Sequence, residues 1–293
     1  MNYVETAIQF NCSGERLVGI TSLPKSSAPT DTSAPKFGLL IIVGGPQYRA
    51  GSHRQFVLLA RAVANAGVPT LRFDYRGMGD STGTLHNFEQ VNNDIAAAID
   101  SLQAAVPSVQ QVALWGLCDG ASAALLYCHE TQDARVTGLC LLNPWVRSEA
   151  SLAKTQIKHY YLQRLRQREF WEKLLSGKVA RRAASELFSN TRAALSRPAS
   201  APMENGAARS FQNRMALGWS SFKGSLLLIL SDTDFTAKEF ADALRHSPTW
   251  SGATDHPNLR RQDLPFTDHT FSDVTGRKLV EETTIDWILQ HAR

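Results

Sequence analysis

The chain has 293 residues, of which 43% are hydrophobic and 20% charged, enough to fill a large core and too apolar for a disordered segment. The net charge of +4 is unevenly spread: fifteen Lys/Arg against five Asp/Glu lie between Arg147 and Lys223, a net +10, which leaves −6 on the remainder. No run of about 18 apolar residues occurs, so no membrane span is expected.

The first twenty residues are punctuated by Asn2, Glu5, Gln9, Asn11 and Glu15 and lack the apolar core of a signal peptide, which points to the cytoplasm. Val4–Phe10 and Leu17–Thr21 read as antiparallel strands joined at Ser13-Gly14, and Pro24–Pro35 as an exposed loop. From Phe37–Val43 onward the pattern changes to continuous apolar runs, the mark of parallel strands covered on both faces. Helix Arg54–Ala66, strand Pro69–Phe73, helix Phe88–Ala105, strand Val109–Trp115, helix Asp119–Glu130 and strand Val136–Leu142 follow in alternation. Residues 147–222 break the rhythm with a basic, helix-forming stretch, strongest at Ile157–Ser176 and Lys178–Ser189, and read as a helical cap inserted in the sheet. The alternation resumes with strand Ser225–Leu230, helix Thr236–Arg245, a short strand near Arg261–Leu264 and helix Ser272–His291. The expected organisation is therefore a mostly parallel, doubly wound α/β core in two parts, 1–146 and 223–293, around a cap at 147–222.

Gly116-Leu-Cys-Asp-Gly120 lies between a buried strand and an Ala-rich helix. A sharp strand-to-helix turn holds a nucleophile in a strained backbone conformation, and only small residues two positions either side, Gly116 and Gly120, avoid collision. The helix N-terminus supplies free N–H groups and a positive dipole end, which favour a thiolate and a developing oxyanion. Cys118 is thus the candidate nucleophile, and the N–H of Asp119 one arm of an oxyanion hole. The loop after strand Phe37–Val43 should supply the second arm. Pro46 has no N–H, so Gly45 is the candidate.

A thiolate in this setting needs an imidazole, and the imidazole a carboxylate to fix its tautomer. In chain order the acid follows the nucleophile and the histidine comes last. Asp232 and Asp234 both follow strand Ser225–Leu230; Ser231 stands where a glycine usually opens the acid turn, which favours Asp234. His269, between the last short strand and the last helix, is the candidate base. His53, His86, His129, His159, His246, His256 and His291 fall where this order gives them no part. Cys12, Cys128 and Cys140 read as core residues rather than a disulfide framework.

The segments Val-Gly-Gly-Pro-Gln-Tyr-Arg (43–49), Phe-Asp-Tyr-Arg-Gly-Met-Gly-Asp-Ser (73–81), Trp-Gly-Leu-Cys-Asp-Gly-Ala (115–121) and Asp-His-Thr-Phe (268–271), taken together, resemble the α/β-hydrolases associated with exosortase A systems, the group called hydrolase 1. The resemblance implies the α/β-hydrolase fold and a bacterial exopolysaccharide and protein-sorting locus, but no particular substrate. Dienelactone hydrolases and polyhydroxyalkanoate synthases also carry cysteine on such an elbow. The expected chemistry is ester or thioester cleavage by Cys118, His269 and Asp234, with acyl transfer to a glycan or lipid acceptor, or a non-catalytic scaffold, as alternatives. The basic stretch suits an anionic partner such as an acyl-CoA or acyl-carrier protein, and Arg147 is the candidate substrate contact at its start. No metal or nucleotide motif and no nucleic-acid-binding motif occurs, so no cofactor is expected.

Overall fold

The computed structural model describes residues 2–25, 35–45, 47–147 and 209–291. The stretches expected to form cap helices, Ile157–Ser176 and Lys178–Ser189, lie outside the described residues, as do Pro46 and most of the loop Pro24–Pro35.

A long hairpin opens the fold. Strands β1 (Tyr3–Cys12) and β2 (Glu15–Pro24) pair antiparallel through a tight turn in which both Ser13 and Gly14 take positive φ, 50° and 85°. Both strands run longer than expected, because the ladder Tyr3↔Pro24 to Cys12↔Glu15 continues through polar residues on the exposed face. Burial in β1 falls mostly on alternate residues, as suits an outer strand with one solvated face.

The six strands that follow are β3 (Phe37–Ile42), β4 (Thr70–Phe73), β5 (Gln111–Leu117), β6 (Val136–Leu142), β7 (Ser225–Ser231) and β8 (Leu259–Leu264). They are parallel to one another, and the eight-stranded sheet runs β1-β2-β4-β3-β5-β6-β7-β8. Every residue of β3 is buried, as its unbroken apolar run requires. Helices cover the sheet through apolar stripes of helical period: Phe56, Leu59, Ala60 and Val63 on α1 (Gln55–Asn65), and Ile95, Ala98, Ile99 and Leu102 on α2 (Asn92–Ala105). Full burial of each large side chain contributes about 1.5–3 kcal/mol.

The helix expected over Phe88–Ala105 is divided. Asn87 caps a short turn at Phe88–Gln90 by accepting from the Glu89 N–H, and Val91, at φ −103° and ψ 14°, leaves helical geometry before α2 begins.

The boundary of the insertion also differs from expectation. The chain divides into two compact units, Met1–Val146 with Ser210–Arg293, and Arg147–Arg209. Residues 211–221, assigned from sequence to the cap, form helix α4 (Phe211–Ser221), which packs on α3 (Asp119–Thr131) in the unit that holds the sheet. The reason is burial: Met215 and Trp219 of α4 are almost wholly enclosed, and Trp219 donates from Nε1 to the Ala253 carbonyl at 3.0 Å. Helices α5 (Phe235–His246) and α6 (Val274–His291) complete this unit.

Candidate active site

Strand order brings the site together. From β3 the chain adds β4 on one side, and β5 takes the other side of β3. The carboxyl ends of β3 and β5 are therefore adjacent at the point where the winding reverses, with Ile42 opposite Gly116. Gly44-Gly45 and Cys118-Asp119 follow those ends directly. Asn143, Asp234 and His269 follow β6, β7 and β8 along the same edge.

Cys118 sits at φ 60° and ψ −124°, a region that non-glycine residues rarely occupy. The strain is held by the surrounding backbone. The Cys118 N–H donates to the Leu142 carbonyl at 2.9 Å, and its carbonyl accepts from Trp145 at 3.2 Å and from Ala121 and Ser122 of the first turn of α3. The buried Ser122 hydroxyl donates to the Trp145 carbonyl at 2.7 Å, which ties the loop after β6 to the elbow. A Cβ at Gly116 would lie 2.4 Å from the Gly120 carbonyl carbon, and one at Gly120 would lie 2.6 Å from the Ile42 carbonyl oxygen. Neither position has room for a side chain.

Of the two carboxylates weighed from sequence, Asp234 is the one that meets His269, its Oδ2 lying 2.8 Å from Nδ1. Asp232 is exposed. Asp234 also caps helix α5 by accepting from the Ala237 N–H at 3.0 Å, so one carboxylate serves both a helix and an imidazole. Burial opposes its ionisation, yet the hydrogen bond and charge of His269 hold it below the usual carboxylate range. Asp234, which accepts from the ring, and then the Cys118 thiol push His269 up to about 10 against the effect of burial. The imidazole thus stands between a carboxylate and a thiol. Its loop is fixed in turn by Asp268, which accepts from the N–H groups of Thr270 at 3.1 Å and Ser272 at 2.9 Å.

The expected oxyanion-hole arm is engaged. The Gly45 N–H donates to Oδ1 of Asp119 at 2.5 Å. Burial raises the Asp119 carboxyl, opposed by the N–H groups of Gly45, of Asp119 itself and of Gly120. A Cβ at Gly44 would come within 2.5 Å of Asp119 Oδ1 and 2.3 Å of the Leu117 carbonyl oxygen, so the glycine lets this loop lie against the elbow.

A cavity of about 450 Å³ opens beside Gly45 and Asp119, walled by Tyr48, Tyr75, Met78 and Phe88 among others. The segment 73–81 holds that wall in place. Asp74, fully buried, accepts from the Arg49 N–H at 2.6 Å and pairs with its guanidinium, while Arg76 pairs with buried Asp94 at 2.8 Å. His86, set aside by chain order, lines the same cavity. Arg147 opens the separate unit Arg147–Arg209, and the cavity is lined by other residues.

Sequence reasoning passed over two buried polar side chains behind His269. Asn143, at φ 43°, donates to the Ser231 hydroxyl at 2.9 Å and to the His269 carbonyl at 3.2 Å. Ser231 donates to the Asp268 carbonyl at 2.9 Å. The available signal was position: an amide directly after an apolar strand, and a hydroxyl at the end of another, on the edge that holds the candidate nucleophile, acid and base.

No group of three or more His, Cys, Asp or Glu among the described residues is arranged to hold a metal ion, and no described helix is long and apolar enough to cross a membrane.

Residues 36–209 match the model of a hydrolase family described as serine aminopeptidase, S33. No curated protein matches the sequence. Among solved structures, the Pyrococcus furiosus esterase Pf2001 is similar at 15% identity and a TM-score of 0.61, over 99% of this chain and 92% of the esterase. A dienelactone hydrolase from Anabaena variabilis is similar at 15% identity and a TM-score of 0.61, over the whole of both chains. Est1E from Butyrivibrio proteoclasticus, solved with ferulic acid, is similar at 17% identity and a TM-score of 0.60, over 97% of this chain and 99% of Est1E. At such identities the likeness is one of fold.

Proposed function

Because this chain belongs to the α/β-hydrolase family described as serine aminopeptidase, S33, and has cysteine where that name puts serine, we propose that it cleaves ester or thioester bonds through a Cys118-His269-Asp234 triad. The observation that carries the reading is the imidazole of His269, paired with Asp234 at 2.8 Å and raised in its ionisation by the thiol of the strained elbow cysteine as well as by that carboxylate.

In this mechanism His269 takes the Cys118 proton, and the thiolate attacks the carbonyl carbon to form a carbon–sulfur bond. The tetrahedral oxyanion is held by the N–H groups of Asp119 and, once its carboxylate partner has moved aside, of Gly45. Collapse breaks the bond to the leaving alcohol or thiol, which receives the proton from His269. Water, activated by the same imidazole, then attacks the acyl-thioenzyme and restores the thiol. Asp234 fixes the tautomer and favours the imidazolium. Thiolates attack thioesters and activated esters more readily than amides, so the reading is a hydrolase of esters or thioesters rather than a peptidase.

If an acceptor hydroxyl takes the place of water, the same residues perform acyl transfer. The Gly-Gly-Pro-Gln-Tyr-Arg and Gly-Leu-Cys-Asp-Gly segments support a place in an exosortase-associated exopolysaccharide locus, where glycan and lipid intermediates are the candidate acceptors. An acyl-CoA or acyl-carrier protein, in the cytoplasm, is the candidate donor on the strength of the basic stretch.

The test is turnover of p-nitrophenyl esters and acyl thioesters by wild type and Cys118→Ala, with intact mass spectrometry. Turnover and an acyl adduct that are both lost in the variant are expected. Turnover that survives Cys118→Ala would overturn the assignment.

A further inference from the structure

The mechanism above asks of the Asp119 side chain only that it leave Gly45, and nothing in it draws that side chain away. Its Oδ1 takes the N–H of Gly45 at 2.5 Å, the donor that the tetrahedral oxyanion needs. An oxyanion must itself come within about 3 Å of that N–H, so the two negative groups cannot share it. Turnover therefore requires Asp119 to exchange its partner.

The cavity indicates what the new partner is. Gly45 and Asp119 both line it, its described walls are largely aromatic and apolar, and no lysine or arginine is among its described lining residues. An anionic acyl group entering here would face the Asp119 carboxylate, with no cationic side chain among the described lining residues. Tyr75 lines the same cavity, and its buried hydroxyl has no hydrogen-bond partner among the described residues. Burial keeps that phenol protonated, so what it lacks is an acceptor for its proton. A hydroxyl group answers both needs, since it donates to a carboxylate and accepts from a phenol. A carboxylate has no proton to give Asp119, and an ammonium has no lone pair for Tyr75.

We propose that Asp119 is the specificity-determining residue of this site, and that it selects an uncharged, hydroxyl-bearing acyl group whose O–H draws the carboxylate away from Gly45. The oxyanion hole is then completed only by substrates of that class, and anionic acyl groups are refused. The inference rests on Cys118 being the nucleophile.

The experiment compares three N-acetylcysteamine thioesters that differ at carbon 2 alone: propanoyl, 2-hydroxypropanoyl and 2-carboxypropanoyl. Each is assayed with wild type and Asp119→Asn, and alkylation of Cys118 by iodoacetamide is mapped by peptide mass spectrometry. Wild type is expected to favour the hydroxylated over the plain thioester by about ten- to hundredfold in kcat/KM, the range of a hydrogen bond to a charged group, and to cleave the carboxylated one slowest. In Asp119→Asn the hydroxyl preference should contract towards unity and the carboxylated thioester should gain relative to the others. A wild type that treats the plain and hydroxylated thioesters alike, or a variant that keeps the wild-type ratios, overturns the role of Asp119 while the cysteine chemistry stands. Alkylation of Cys118 without cleavage of any of the three overturns the hydroxyacyl assignment. If Cys118 is neither alkylated nor acylated, the nucleophile assignment falls and this inference falls with it.

Discussion

The side-chain amide of Asn143 and the backbone and hydroxyl of Ser231 form a closed pair: Asn143 Nδ2 donates to Ser231 Oγ, and the Ser231 N–H donates to Asn143 Oδ1, both at 2.9 Å. Both residues are buried, and each also holds a carbonyl of the His269 loop, Asn143 that of His269 and Ser231 that of Asp268. The ends of β6 and β7 are thus fastened to the segment that carries the imidazole.

Replacing Asn143 by Leu removes the donor to the His269 carbonyl and leaves Ser231 with buried, unpaired groups. A loss of about 1–3 kcal/mol in urea unfolding is expected. The rate of Cys118 acylation should fall more than substrate affinity, because the ring and not the cavity is displaced. Asn143→Asp, which keeps the acceptor for the Ser231 N–H but not the amide donor, should recover part of the stability and little of the acylation rate.

The elbow stores strain that glycine would not feel. At φ 60° and ψ −124°, Cys118 occupies backbone space open mainly to glycine. Cys118→Gly is expected to abolish acylation and to raise unfolding stability by about 1 kcal/mol, the strain relieved less the added entropy of the unfolded chain. Equilibrium urea denaturation of the two proteins at one pH measures the difference.

Gly120 should tolerate no side chain. A Cβ there meets the Ile42 carbonyl oxygen at 2.6 Å, on the neighbouring strand β3. Gly120→Ala is expected to cost about 1–3 kcal/mol and to push the elbow away from Gly44-Gly45. Thermal unfolding reports the first effect, and a fall in Cys118 alkylation rate the second.

The raised His269 ionisation has a definite sign. The folded value is pushed from 6.5 up to about 10, first by Asp234 and then by the Cys118 thiol. The protonated ring therefore contributes stability that is fully present below about pH 6.5 and lost as pH rises through about 10. Wild type should lose stability relative to His269→Gln across that window, and the loss should shrink in an Asp234→Asn background. Parallel pH curves for wild type and His269→Gln from pH 6 to pH 10.5 would refute the coupling.

Much of this molecule was legible before its structure. The unbroken apolar run Phe37–Val43, the Ala-rich segment after Gly120 and the alternation from Thr70 to Leu142 are local patterns, and local patterns set strands, helices and their order. The cysteine between glycines at 116 and 120 could be read for the same reason, since the steric demand of the turn acts within five residues of chain. The end of the insertion could not be read so. Phe211–Ser221 has the composition of a cap helix, and only the enclosure of Met215 and Trp219 assigns it to the sheet-bearing unit.

The sequence by itself determined which residue types stood ready for chemistry and in what chain order. Tertiary structure decided their partners. Asp232 and Asp234 are two residues apart and chemically identical, but Asp234, at the N-cap of α5, meets His269 while Asp232 is exposed. Gly45 and Asp119 are 74 positions apart, and they meet because β3 and β5 are neighbours where the winding reverses. Hydrogen bonds act over about 3 Å, and only the folded sheet brings positions so distant in the chain within that range.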